Sequence, residues 1–524
     1  MMADARHQTI KKKNLHIVLL HLDLGIGGAE QLMVNLALAS LPHQSSTSTS
    51  TENAHADIDS DCLNGTVSIF TTHCNQSHCF DIVRKNPPGR LASSVHLVGN
   101  YLPVTIFGKG TALCSTVRML YLSFIARRMY PNADVFVLDV LPSPIPFLGL
   151  KCKSVIYYCH FPDKLLTRDT INGEHLNTSK EKGGSIRNTL KNQYRKILNT
   201  VEEWSMSYAD LICVNSNFTR KEVLRAFPSL GTKQDRDKIH VLYPAIDLSK
   251  FIPPDFSLKR LLVEKATDGN AQNLDAQMPI VSLNRFERKK NIEVLLHAYA
   301  SILKDSQKEK KGMPPPLVVA GGYDTRNMEN VQYLIELKEL ANKLGIESQT
   351  KFRPSVSDEE RAILLQSAIC VVYTPHREHF GIVPLEAMFA GSAVIAIKSG
   401  GPKETILDGI TGVLVELKPG DSCVALTIAI ADLIYDPQKA IEMGEQGHEH
   451  VKKKFGLVPF RKEWKRLVLD EGIPRGRHRL KERGASLRIL RVFTYAIILA
   501  AWYLARYFLA GSSQKWMKGG YTFE

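Results

Sequence analysis

Residues Glu378–Gly391 read EHFGIVPLEAMFAG, a stretch that opens with a carboxylate on a polar turn, passes Gly381 and enters an apolar run at Pro384. Proline favours the first helical position, so the pattern predicts a helix that starts at Pro384 and carries Glu386 in its first turn. A helix start offers unpaired N–H groups and the positive end of the helix dipole. Gly381 lets a ligand approach the backbone closely, and the combination is suited to a phosphate. Upstream, VVYTPHRE (Val371–Glu378) reads as a buried strand that delivers the loop. Downstream, VIAIKSGGPKETI (Val394–Ile406) reads as the next strand and a glycine-rich turn into another helix.

Glu378 and Glu386 stand eight positions apart. On one continuous helix they would be about 12 Å apart and off a common face, a poor fit to a glycosidase pair, whose carboxyls lie within about 5 to 9.5 Å. With Glu378 on the loop, one carboxylate can hold the sugar of a nucleotide sugar and the other its ribose. The bare spacing fits equally well two solvated glutamates flanking an ordinary strand-to-helix turn.

At 524 residues and 44% hydrophobic content the chain can bury two cores. The net charge of +14 favours a partner with phosphates, whether nucleotide, nucleic acid or anionic membrane, without choosing among them. Nine cysteines without paired spacing give neither a disulfide framework nor a zinc pattern, and fit a reducing compartment. His73 and His78 lack a completing set of ligands, so no metal is assigned.

An α/β rhythm runs through both halves. The strand LHIVLLHLDLG leads into GIGGAEQLMVNLALA, where Gly27 and Gly28 form a phosphate-type turn or merely a tight strand-to-helix turn. A Ser/Thr-rich insertion follows at about 42–61 and predicts disorder. Arg118, Arg127 and Arg128 punctuate an apolar helix from near Thr111, which fits a core helix or one resting in a membrane interface. The strand VIYYCHFPD ends in His160, and strand carboxyl ends are where open α/β sheets place ligands; a structural histidine fits as well. VLYPAIDLSKF marks the boundary between the halves. Beyond it, PIVSLNRFERKKNIEVLLHAY carries Arg285 and Lys290 five positions apart, both able to reach one pyrophosphate. The chain closes with a run of arginines and lysines and an apolar segment, 492–510, suited to crossing or lying in a membrane beside an anionic leaflet.

The Glu, seven residues, Glu pattern around FGIVPL resembles retaining glycosyltransferases of the GT-B fold: two Rossmann-like domains facing a cleft. Similarity to the α-1,3/1,6-mannosyltransferases of dolichol-linked N-glycan assembly extends over LGIGGAE, YYCHFPDKLL, VNSNFT, VLYPAID, LNRFERKKN, AGGYD and SGGPKETI, from about 14 to 465. The resemblance implies an N-terminal acceptor-side domain (1–248), a donor-binding domain (249–470), and a basic linker with a membrane-associated helix (471–524). It also implies GDP-mannose as donor, a dolichyl-diphosphate-linked Man1GlcNAc2 acceptor and no required metal. The expected place is the endoplasmic reticulum membrane with catalysis on the cytosolic side, beside other glycosyltransferases of the pathway and without nucleic acid. Rival readings are another GT-B mannosyltransferase of the same membrane face, or a scaffold that retains the fold without catalysis.

Residue by residue, the resemblance gives Glu386 to the donor ribose and places Glu378 near the mannose. Arg285 and Lys290 are expected at the diphosphate, with Phe380, Gly381, Ile382 and Val383 also binding the donor. Gly27 and Gly28 would admit the diphosphate from the first domain, and His160 would touch the transferred sugar.

Overall fold

The structure, a computed structural model, describes residues 14–42, 63–105, 110–166, 186–246, 251, 253–267, 278–310, 312–417 and 423–482. The Ser/Thr-rich insertion beyond Pro42 and the apolar segment 492–510 lie outside the described residues. Among those described, no helix is long and apolar enough to cross a membrane.

The chain divides into two compact units. The first takes Met1–Asn215, Arg220–Leu242 and Phe460–Glu524, and the second takes Ser216–Thr219 and Tyr243–Pro459. The first unit's sheet contains β1 (His16–Leu20), β2 (Thr66–Thr71), β3 (Val95–Leu97), β4 (Val135–Asp139), β5 (Ser154–Cys159), β6 (Leu211–Val214) and β7 (Ile239–Val241). All pairings are parallel, in the order β3-β2-β1-β4-β5-β6-β7. The second unit contains β8 (Ile280–Leu283), β9 (Leu317–Gly321), β10 (Thr350–Pro354), β11 (Cys370–Tyr373), β12 (Ala393–Ile397) and β13 (Gly412–Val415), parallel in the order β10-β9-β8-β11-β12-β13.

Parallel strands covered by helices on both faces read as unbroken apolar runs. In the second unit, successive strand residues go to opposite faces: Leu317, Val319, Cys370 and Val372 enter one buried cluster, and Val318, Ala320, Val371 and Tyr373 another. Both sheets are doubly wound. The strand order reverses between β1 and β4 in the first unit and between β8 and β11 in the second. Crevices beyond the strand carboxyl ends at such reversals are where this architecture binds ligands.

The helix Thr111–Met129 resolves in favour of the core reading, because Met119, Leu122 and Ala126 are fully buried and Arg118 donates to the Thr72 hydroxyl. The first unit is completed by the two helices that follow the second unit. Helix Leu457–Arg466 buries Trp464, whose indole N–H donates to Ser40 Oγ at 2.9 Å. Helix Ile473–Glu482 extends Arg479 to Asp210, with Nε–Oδ1 at 2.7 Å and Nη2–Oδ2 at 3.0 Å, and Asp210 also accepts from the Val155 N–H at 2.8 Å. The first unit thus reclaims the chain from Phe460, ten residues before the boundary expected at 470. An aromatic anchor and a buried ion pair bind this stretch, and neither has a local sequence signature.

Trp464 fills a site with no exposure. Trp464→Ala is expected to cost about 3–5 kcal/mol of first-unit stability, measured by denaturant titration. Trp464→Phe, which keeps most of the volume and loses the hydrogen bond, is expected to cost clearly less.

Candidate functional site

In the second unit, the loops that follow β8 and β11 meet at the strand-order reversal. After β8 the chain makes a 3-10 turn over Arg288–Lys290. Asn291, at φ +52°, then turns it into helix Ile292–Lys308, a left-handed position that asparagine tolerates. Thr374, just past β11, is fully buried, and its hydroxyl donates to the Lys290 carbonyl at 2.6 Å. The ammonium of Lys290 sits 2.6 Å from Glu378 Oε2, with the two side chains 15% and 24% exposed. Lys290 is therefore held at both ends by the β11 loop.

Glu378 is held in turn by the glycine-rich turn after β12. The Gly401 N–H donates to the Glu378 carbonyl at 2.8 Å, and Ser399 Oγ accepts from the Arg377 N–H at 3.0 Å. A Cβ at Gly400 would stand 2.1 Å from Glu378 O, and one at Gly401 would stand 2.3 Å from Phe380 O. Only glycine permits this backbone-on-backbone contact, which accounts for the SGG signature independently of any ligand. Burial works to raise the Glu378 carboxyl. The charge and hydrogen bond of Lys290 outweigh it, assisted by His379 and a hydrogen bond from Tyr373, and hold Glu378 below its ordinary value.

Gly381, at φ +79°, caps a helix that runs Ile382–Phe389. The helix therefore starts two residues before the expected Pro384, and Glu386 lies in its second turn. The left-handed glycine ends the loop earlier than the proline does, and Pro384 is tolerated because the first turn has no partner for its N–H groups. The unpaired donors at this end belong to Ile382 and Val383. Glu386 is buried, and its carboxylate pairs with Arg361 on helix Asp358–Ser367. Arg361 carries no signal in the sequence.

The Phe380 side chain does not face a ligand. It is 6% exposed, stacks on Tyr243 at 6.0 Å between centroids and meets Phe455 at 6.2 Å. Only its backbone lies at the loop. Arg285 shares the β8 loop with Lys290 but not its partner, since its 71% exposed guanidinium lies 3.7 Å from Glu287.

The first unit gathers a second set of groups at its own strand-order reversal. His21 follows β1, Asp139 ends β4 and His160 follows β5. Asp139 has no exposure and bridges two imidazoles, with Oδ1 2.7 Å from His21 Nδ1 and Oδ2 3.1 Å from His160 Nε2. Glu30, in the first turn of helix Gly28–Ser40, lies 3.7 Å from His21 Nε2. His160 is also fixed through its carbonyl, which accepts from Asn215 Nδ2 at 3.0 Å, and its side chain stays 29% exposed. Gly27 and Gly28 open the same helix. A Cβ at Gly28 would meet nothing within 4 Å, so packing does not demand a glycine there. His21, Glu30 and Asp139 escaped the sequence reading because each looks like an ordinary polar residue at a strand end or helix start. Among the described residues no group of three or more His, Cys, Asp or Glu gathers as a metal site.

Burial alone would lower His21. The charge of Asp139 outweighs it, together with hydrogen bonds that His21 donates to Asp139 and Glu30, and raises His21 from 6.5 to about 10; Asp139 is correspondingly lowered. The folded value of His21 is the higher one. Its stabilisation is therefore complete below pH 6.5 and lost as pH rises through about 10. Unfolding free energy is expected to fall over that interval, and the His21 part of the slope to disappear in Asp139→Asn, measured by denaturant titration at a series of pH values. An unchanged slope in the variant contradicts the pairing.

With the geometry in place, comparison with known proteins is informative. The family model described as glycosyl transferases group 1 matches residues 268–450. The alpha-1,3/1,6-mannosyltransferase ALG2 of Dictyostelium discoideum is 34% identical over 468 residues, covering 87% of this chain and 98% of its own. The enzyme of the same name from Homo sapiens is 35% identical over 461 residues, covering 86% and 95%. Among solved structures, sucrose-phosphate synthase from Thermosynechococcus elongatus is similar with a TM-score of 0.58 at 20% identity, covering 87% of this chain and 99% of its own. Anabaena HepE in complex with UDP-glucose gives 0.53 at 18%, covering 87% and 100%. The structures establish the shared fold of two parallel-sheet α/β domains, and the relatives establish the activity class. The chain belongs to the alpha-1,3/1,6-mannosyltransferases, a family of glycosyltransferases built on the GT-B fold.

Proposed function

We propose that this mannosyltransferase takes mannose from GDP-mannose and adds it, with retention, to a dolichyl-diphosphate-linked Man1GlcNAc2 in N-glycan precursor synthesis, forming α-1,3 and then α-1,6 linkages. The observation that carries the proposal is the Lys290–Glu378 pair at the strand-order reversal of the second unit, 2.6 Å apart. It puts a cation and a carboxylate side by side where a sugar diphosphate presents an anion and a sugar. Membership of the family supports the sugar transferred. The lipid-linked acceptor and the cytosolic face of the endoplasmic reticulum belong to the same proposal, supported by the basic tail and the apolar run at 492–510.

In this reading the bond between mannose C1 and the diphosphate oxygen breaks, and GDP leaves with the negative charge. Lys290 and the exposed Arg285 neutralise that charge, as a metal ion does in other transferases. The N–H groups of Ile382 and Val383 add donors at the positive end of their helix. Glu386 accepts from the ribose hydroxyls, oriented by Arg361. Glu378 positions the mannose and stabilises the oxocarbenium-like sugar. The acceptor hydroxyl attacks C1 from the face the diphosphate leaves, and its proton passes to a phosphate oxygen. In the first unit, the open space at Gly28 suits close approach by the diphosphate. His160, oriented by Asp139 through Nε2, is assigned to the transferred sugar.

Linkage analysis of the product made from GDP-mannose and the lipid-linked acceptor by purified, membrane-reconstituted protein tests the whole reading. Products with both linkages are expected, and no transfer from any nucleotide sugar overturns it. Lys290→Ala is expected to lower kcat by about 10²–10³, and near-normal turnover rules out its leaving-group role. Glu386→Ala is expected to act chiefly on donor affinity, measured by calorimetry with GDP-mannose.

A further inference from the structure

The edge of the first unit's sheet carries a recess that has no part in the mannosyl-transfer site. It has a volume of about 410 Å³ and lies along β7, lined by Arg220, Arg236, Asp237, His240, Glu471 and Arg475. Three separate elements supply its arginines. Arg220 comes from helix Asn217–Ala226, Arg236 from the short helix Lys233–Arg236, and Arg475 from the C-terminal helix Ile473–Glu482. Three arginines lining one recess are electrostatically unfavourable unless opposing charge answers them.

The resident carboxylates answer only part of it. Glu471 is surrounded, with Arg475 Nη2 at 2.9 Å, Arg466 at 3.6 Å and His240 Nε2 at 3.9 Å. Its charge is already shared among cations. Among the described residues no carboxylate lies within ion-pair distance of Arg220 or Arg236. Arg220 Nη2 makes one long hydrogen bond, 3.4 Å, to the Arg236 carbonyl, while its Nε is buried and makes none. A buried N–H without an acceptor is destabilising. His240 is pushed below its ordinary value by burial first, with Arg466 and Arg475 adding to it against the pull of Glu471, as expected in a positively charged pocket.

We infer that this recess binds a phosphate group, with Arg220 and Arg236 as its principal ligands and Arg475 at its wall. Guanidinium forks match phosphate oxygens in pairs. The recess is too polar for an apolar ligand and large enough for a phosphorylated headgroup. The phosphate has two possible sources, a lipid headgroup or a soluble phosphorylated molecule. In sequence, helix Ile473–Glu482, which supplies Arg475, is followed by further basic residues and the apolar run 492–510, a composition suited to a lipid surface.

The test uses the full chain, the double variant Arg220→Gln/Arg236→Gln and the single variant Asp237→Asn. Inorganic pyrophosphate is titrated calorimetrically, and vesicles of phosphatidylcholine with and without phosphatidic acid are assayed by flotation. Binding at the mannosyl-transfer site is common to all three proteins and cancels in the comparison. The double variant is expected to lose about tenfold in affinity for at least one probe. Asp237→Asn, which removes a negative charge from the lining, is expected to tighten binding of the same probe, a gain that a folding defect cannot produce. Loss confined to phosphatidic acid vesicles assigns the site to a lipid headgroup, and loss with pyrophosphate assigns it to a soluble phosphate. Equal binding of both probes by the full chain and the double variant overturns the proposal, as does weaker binding by Asp237→Asn. Transfer to a detergent-dispersed acceptor is expected to be unchanged in the double variant, and its abolition also counts against a separate site.

Discussion

Backbone pressed on backbone sets the geometry of the second unit's site. The turn at Ser399–Gly401 lies so close to residues 378–380 that any side chain at its two glycines would collide with a carbonyl oxygen. Because that turn cannot move away, the β11 loop has one available course, and Glu378 emerges from it toward Lys290. Thr374 then ties the Lys290 backbone to the same loop. Charge is arranged here by packing, which makes the ion pair a consequence of the fold and not its cause. The two side chains are largely buried, where desolvation offsets much of the attraction between the charges, so a pair placed this way is better understood as a preset electrostatic field than as a fastener.

The two units solve the same topological problem with different chemistry. In each, a parallel sheet reverses its strand order and leaves a crevice beyond the strand ends. The second unit fills its crevice with a partly exposed ammonium–carboxylate pair, whose members can each turn to a new partner. The first unit instead buries a carboxylate completely between two imidazoles. Removing Asp139 would take away the main group that keeps His21 protonated against burial and the anchor of His160, so this group is better suited to holding His160 in a fixed orientation than to exchanging partners. One crevice is built for exchange and the other for rigidity.

Much of this was legible in the chain itself. Unbroken apolar runs such as HIVLL, VFVLD and AVIAI announce parallel strands, and the alternation with helical patterns announces two α/β units. His160 drew notice as a polar residue at a strand's carboxyl end, Lys290 as a basic residue at a helix start, and Glu378 through its spacing from Glu386; the structure places all three on the loops just past the strands. The start of the helix at Ile382 was misread because proline is a stronger sequence signal than a glycine whose φ is unknown. Phe380 sits inside the motif that suggests a donor site, and the positions of Tyr243 and Phe455, which the motif does not contain, turn it inward. Val95–Leu97 and Gly412–Val415 went unseen as strands, being short and at or near sheet edges, where few flanking contacts shape the sequence. Arg361, Asp139 and His21 share one reason for their silence. Each gains its meaning from a residue brought near by the fold, over separations of 25 and 118 positions.

The first unit is discontinuous, closing only when Trp464 reaches Ser40, 424 positions away. On the ribosome, the amino-terminal lobe must therefore wait with an unfilled socket while the second unit, almost wholly one uninterrupted segment, emerges and folds first. A nascent chain stalled before Phe460 would carry one finished lobe and one with exposed apolar surface, the kind of surface that chaperones bind. The helices beyond Phe460 act in this sense as a completion signal, withholding a solvent-proof first lobe until the segment that follows the second unit has been made.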